Sequence, residues 1–156
     1  MAQLYHYSES GLDNVYLEGG VTRYKTADGD EAIDIADTEG LHMAIGRWLI
    51  ELPKPLNGAE LRFLRLEMEI TQGRLAALLG TSEQTISLWE RSRKKAMPGS
   101  ADRLLRVLYA EYASGDGSVR RMVDRLAELD QIKHAKACVR ETRKGWRVEA
   151  EPRVVA

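Results

Sequence analysis

Between Thr71 and Lys95 the sequence gathers hydrogen-bonding and positively charged side chains on a framework of apolar residues at helical spacing. The run is Thr71-Gln72-Gly73-Arg74-Leu75-Ala76-Ala77-Leu78-Leu79-Gly80-Thr81-Ser82-Glu83-Gln84-Thr85-Ile86-Ser87-Leu88-Trp89-Glu90-Arg91. Ala76 is small where a second helix must cross closely, and Gly80 admits the left-handed backbone of a short turn. Leu75, Leu79, Ile86 and Trp89 are spaced to share one core. Ser82 is the expected cap of the second helix, so that the first turn projects Glu83, Gln84 and Thr85 away from that core. This is the geometry of a helix-turn-helix whose second helix is presented outward. Arg91-Ser92-Arg93-Lys94-Lys95 follows at once, and its cations suit a phosphate backbone, whose condensed counterions they would release. Taken alone, such a run also reads as a solubilising loop.

Other reactive residue types do not assemble. His6, His42 and His134 are too dispersed for a helix or hairpin metal site and read as ordinary surface or core histidines. Cys138 falls in an expected strand and reads as a buried, inert thiol. Asp28, Asp30, Glu31 and Asp34 lack the spacing and terminal glutamate of a calcium loop, and read as a solvated turn. No phosphate-cradling glycine loop or nucleophile elbow occurs. The expectation is a protein that is not an enzyme and takes no cofactor or metal.

These residues need elements to hold them. The chain has 156 residues, 23 Lys plus Arg against 24 Asp plus Glu, a net charge of -1 and 44% apolar residues, the profile of a globular protein. No apolar run approaches the roughly 20 residues of a membrane helix, and no signal peptide or lipidation motif is visible, so no membrane association is expected. One cysteine excludes an internal disulfide, and a reducing, cytoplasmic setting is the default. The near-neutral sum hides an asymmetry. Residues 1–60 hold eleven acidic and four basic residues, whereas 61–156 hold nineteen basic and thirteen acidic.

Short apolar stretches at Leu4–Tyr7, Val15–Leu17, Val21–Thr26 and Ala32–Ile35, separated by glycine-rich turns, predict a small antiparallel meander. Asp37 should cap a helix carrying Leu41, Ile45, Trp48, Leu49 and Leu52, which Pro53 and Pro55 stop. Asn57-Gly58-Ala59-Glu60 predicts a capping box for the next helix. Beyond the helix-turn-helix, Pro98 precedes a helix with Leu104, Leu105, Leu108 and Tyr112 on one face. Ser118 should cap another with Val119, Met122, Val123, Leu126 and Leu129, and 137–150 reads as a hairpin around Arg143-Lys144-Gly145. Trp48 and Trp146 are expected to pack the N-terminal helix and this hairpin. The fold class is thus α+β: a mainly α helix-turn-helix bundle of about five helices, preceded by the meander and helix and followed by a helix and hairpin. The expected regions are 1–54, acidic; 57–113, the helix-turn-helix domain; and 118–150, which could pack on the N-terminal sheet.

Gln72, Leu75-Ala76, Gly80, Ser82, Ile86-Ser87 and Trp89-Glu90 resemble the Cro/C1-type (XRE) helix-turn-helix family of DNA-binding regulators, over Asn57 to about Leu108. The resemblance implies a compact helical bundle that binds double-stranded operator DNA as a two-fold dimer. By position, Gln72 matches a phosphate contact, and Gln84, Thr85 and Leu88 match residues facing the major groove. Gln84 suits bidentate pairing with the N6 and N7 edge of adenine. Glu83 departs from the family pattern, since a carboxylate repels phosphate and could help only by accepting from cytosine N4. Ser87 matches a position that either contacts DNA or sits at the rim, and it is counted with Ser82 among the candidate DNA-binding residues. Arg65 and Glu90 match a structural salt bridge between the first and third helices. More loosely, strands joined by a proline linker to such a domain resemble the MqsA-type antitoxins, whose zinc-binding cysteines are missing here.

The expected function is sequence-specific transcriptional regulation, by a repressor acting as a homodimer on a palindromic operator through residues 82–91. Two alternatives stand beside it. The acidic N-terminal region could neutralise a basic toxin protein while the helix-turn-helix autoregulates the pair, or the helix-turn-helix could be an interaction scaffold that never meets DNA.

Overall fold

The computed structural model describes residues 3–117, 121, 124 and 137–149. The fold is α+β, with five helices and short antiparallel strand pairs among the described residues. Strand β1 (Leu4–His6) pairs with β2 (Tyr16–Glu18), and β3 (Val21–Lys25) pairs with β4 (Glu31–Ile35). The expected meander is therefore two separate ladders. The carbonyl of Gly20, at the β2–β3 junction, accepts from the amide of Ala36 at 2.9 Å and so extends the second ladder. Three-residue strands bury little, and the loop between β1 and β2 fills the core instead. Its Tyr7, Leu12 and Val15 are all buried there.

Helix α1 (Thr38–Glu51) is capped by Asp37, whose side chain accepts from the amide of Gly40 at 3.2 Å. Ile45 and Leu49 are its buried face, whereas Trp48 stays 41% exposed. Helix α2 (Gly58–Glu67) starts with the complete capping box: Asn57 Oδ1 accepts from the Glu60 amide at 2.9 Å, and Glu60 Oε1 from the Asn57 amide at 3.0 Å. Helices α3 (Gln72–Leu79), α4 (Glu83–Arg91) and α5 (Gly99–Ser114) complete the bundle, so residues 57–113 supply four helices and α1 the fifth.

One apolar core runs through all of them. Helix α1 crosses α5 at Gly46, where a Cβ would stand 2.0 Å from the Tyr109 hydroxyl oxygen. The chain between α1 and α2 is clasped by Arg106 of α5. Its guanidinium donates to the carbonyls of Ile50 at 2.9 Å, Leu52 at 2.8 Å and Lys54 at 2.6 Å, supplying partners that the end of α1 cannot find within itself. Arg106 Nε also donates to Asp102 at 2.5 Å, and the buried Asp102 accepts from the Leu56 amide at 2.7 Å.

Three expectations about burial are corrected. On α5 the buried aromatic is Tyr109 and Tyr112 is exposed, because Tyr109 is the one that α1 covers, at Gly46. The C-terminal hairpin forms, β5 (Val139–Thr142) with β6 (Gly145–Val148), but its residues are exposed, Trp146 at 73%. Cys138 beside it is exposed too, not buried. A two-stranded ribbon that no other described element covers has solvent on both faces. The helix expected from Ser118 lies outside the described residues. Among the described residues no helix is long and apolar enough to cross a membrane.

Candidate nucleic-acid interface

Helix α3 begins at Thr71, whose Oγ1 accepts from the Arg74 amide at 3.0 Å, and it ends at Gly80 in the left-handed conformation, φ 70°. The amides of Gly80 and Thr81 close onto the carbonyls of the last turn, Thr81 onto Ala76 at 2.9 Å. Ser82 then caps α4, its Oγ accepting from the Thr85 amide at 3.2 Å. Leu75, Ala76, Leu78 and Ile86 are buried, and Leu79 and Trp89 are half-buried against the same core.

Two devices hold α4 in place. Arg65 and Glu90 form a bidentate pair, Nε to Oε1 at 2.5 Å and Nη2 to Oε2 at 3.2 Å, with Glu90 only 3% exposed in its side chain. Arg65 Nη1 also donates to the Ile70 carbonyl at 3.0 Å, and the Gln72 carboxamide donates to Glu90 Oε2. Gln72 is therefore engaged inside the fold. The second device is a close approach of backbones. A Cβ on Gly58 would lie 2.0 Å from the Trp89 carbonyl oxygen and 2.7 Å from that of Ser92, so only glycine lets the start of α2 meet the end of α4.

With Ile86 and Glu90 inward, the outer face of α4 is set. Gln84, Leu88 and Arg91 recur at i, i+4 and i+7 on one exposed stripe, with Leu88 55% exposed. Thr85 and Ser87 are half-buried on its flanks, and the Thr85 hydroxyl bonds to the capping Ser82 hydroxyl at 2.9 Å. Glu83 is exposed, and one of its carboxylate oxygens lies 3.5 Å from where a Cβ on Gly73 would stand. That puts a negative charge over the first turn of α3, the end of a helix that favours anions.

The basic segment is anchored at both its backbone and its edge. Ala59 donates to the Arg93 carbonyl at 3.2 Å, and Met97 to the Leu56 carbonyl at 2.9 Å. Arg91, Lys94 and Lys95 are exposed, and among the described residues none of them has an ion pair. Arg93 differs: its guanidinium donates to the Gly11 carbonyl at 2.8 Å and to Asp13 at 3.2 Å, tying the loop to the N-terminal segment. No sequence pattern links positions so far apart. The exposed amide, apolar and cationic groups thus lie along one helix and the loop that continues it.

Residues 61–108, from α2 into α5, match a family described as helix-turn-helix, which is under a third of the chain. No curated protein and no solved structure matches the chain. Within that match α3, the Gly80 turn and α4 make a helix-turn-helix of the Cro/C1 type, the DNA-binding kind found in regulators.

Proposed function

We propose that the protein is a sequence-specific transcriptional repressor that binds a palindromic operator as a homodimer, with α4 in the major groove and the loop 91–95 on the phosphate backbone. The observation that carries this reading is the exposed stripe Gln84, Leu88 and Arg91 on a helix whose other side is pinned by the buried Glu90. A carboxamide can read adenine, and an exposed leucine can meet a thymine methyl. Arg91, Lys94 and Lys95 supply charge without sequence information. One helix covers only a few base pairs, so a second copy about one helical turn away, roughly 34 Å, gives useful affinity. A helix-turn-helix placed over a promoter excludes polymerase, hence repression.

The test is binding to the region upstream of the protein's own gene and to random duplex, at two salt concentrations. Gln84→Ala should cost about 1–3 kcal/mol on the specific site and relax preference at one base position, leaving random duplex unaffected. Lys94→Ala should weaken both and lower the salt slope by about 0.9 for each protomer bound, about 1.8 for the dimer. Losses from both variants that are equal on the two duplexes would refute sequence-specific reading. A one-to-one complex with a single half-site at saturation would refute the dimer.

A further inference from the structure

The C-terminal hairpin is not needed for the interface just described, yet its composition is far from that of a solvated turn. Residues directly opposite in its register share a face, and the register pairs Val139 with Val148, Arg140 with Arg147, and Glu141 with Trp146. One face therefore carries Val139, Trp146 and Val148 around Glu141. The other carries Arg140 and Arg147, and the turn adds Arg143 and Lys144. The turn is held by Thr142, whose hydroxyl donates to the Gly145 carbonyl at 2.6 Å and accepts from the Lys144 amide at 3.3 Å.

Two like charges directly opposite across an antiparallel ladder destabilise it unless something neutralises them. Arg140 has a partial answer, an ion pair with Glu149 at 2.7 Å. Among the described residues Arg147, Arg143 and Lys144 have none, and all are exposed. Among the described residues, the face is thus compensated only at Arg140, by Glu149, and the tip not at all.

We infer that this face and tip, Arg140, Arg143, Lys144 and Arg147, are a second contact to duplex DNA, seated on its sugar-phosphate backbone. The inference rests on the DNA-binding reading above. Phosphates relieve the repulsion between Arg140 and Arg147, and a two-stranded ribbon is of a size that a B-DNA groove admits, about 12 Å wide on the major side. The arrangement fits a lipid surface poorly. Burying the apolar face in a lipid interface would take the Glu141 carboxylate, directly opposite Trp146, out of water with it. The contact is sequence-independent, because a charged tip on phosphates carries no base information.

The experiment uses the full chain and follows affinity for duplex DNA by fluorescence anisotropy between about 50 and 200 mM salt. Arg143→Gln/Lys144→Gln/Arg147→Gln should make the slope of log affinity against log salt shallower by about 2.7 for each protomer bound, about 5.4 for a dimer, at roughly 0.9 for each phosphate no longer neutralised. The fall in affinity across that salt range then shrinks by about 40-fold for each protomer bound, relative to the parent protein. The charge-conserving Arg143→Lys/Arg147→Lys should keep the parent slope, which separates charge from hairpin folding. An unchanged slope in the triple variant, with the parent binding duplex normally, overturns this inference alone. So does a change equally large in the lysine variant, or one seen only with single-stranded RNA or anionic vesicles. A parent protein that binds no duplex overturns it together with the reading on which it rests.

Discussion

Arg65→Met tests whether the buried ion pair is what holds α4. The change removes two charge-assisted hydrogen bonds to Glu90 and one to the Ile70 carbonyl. It leaves the Glu90 carboxylate 3% exposed, with Gln72 still donating to it. Breaking a buried pair from one side costs about 3–5 kcal/mol, because the remaining charge loses its compensation. The surviving Gln72 hydrogen bond places Arg65→Met in the lower part of that range, about 3–4 kcal/mol. For a chain of this size each kcal/mol is worth roughly 2–4 °C, so the melting temperature should fall by about 6–16 °C. Arg65→Met/Glu90→Met removes both charges and should lie within about 1–2 kcal/mol of the parent, since apolar residues can replace a buried pair at little cost. The coupling between the two sites is then at least about 1 kcal/mol even if Glu90→Met alone is neutral, and any cost of that variant adds to it. Urea unfolding followed by circular dichroism measures all four corners, with a constant m-value as the check on two-state behaviour. A single variant that costs under about 1 kcal/mol, or a double variant as unstable as the two singles summed, would refute the account.

Gly58→Ala should destabilise by about 3 kcal/mol, because its Cβ meets the backbone carbonyls of Trp89 and Ser92, which cannot yield without moving α4. Gly46→Ala meets the Tyr109 side chain instead and should cost less, about 1–3 kcal/mol; urea midpoints order the two. Arg106→Ala leaves Asp102 buried and three carbonyls without their donor, so thermal unfolding should show a loss of about 3–5 kcal/mol, and Arg106→Lys should recover only part of it. Burial, and then the negative charge of Glu67, raises the Tyr109 hydroxyl above its ordinary value. The protonated phenol is thus favoured in the folded state. Its contribution is complete below about pH 10 and is lost as pH climbs through the raised value. Tyr109→Phe should flatten that alkaline fall in the urea midpoint, and an unchanged fall would exclude Tyr109 as its source.

Residue type and spacing reached the local features of this chain. Asn57 with Glu60, Thr71, Ser82 and Gly80 act on amides and carbonyls within a few residues, so cap and turn chemistry was legible before any packing was known. The outward positions Gln84, Thr85 and Leu88 were expected from the family resemblance; in the fold Gln84 and Leu88 are exposed and Thr85 is half-buried, because Ile86 and Glu90 face inward. The pairing of Arg65 with Glu90 was legible only through the family resemblance. Which members of a broad apolar stripe lie inside depended on the assembled fold. Leu78 is buried and Leu79 half-buried, Tyr109 is buried and Tyr112 exposed, and Trp48 and Trp146 face solvent. A helical period of about 3.6 residues places a stripe to within one position, and the neighbouring helix selects within it. Contacts such as Arg93 with Gly11, Arg106 with the carbonyls at the end of α1, and Glu83 over Gly73 carry no local pattern. They arise when packing brings distant segments together and leaves a donor beside an unmet acceptor, which residue spacing along the chain does not encode.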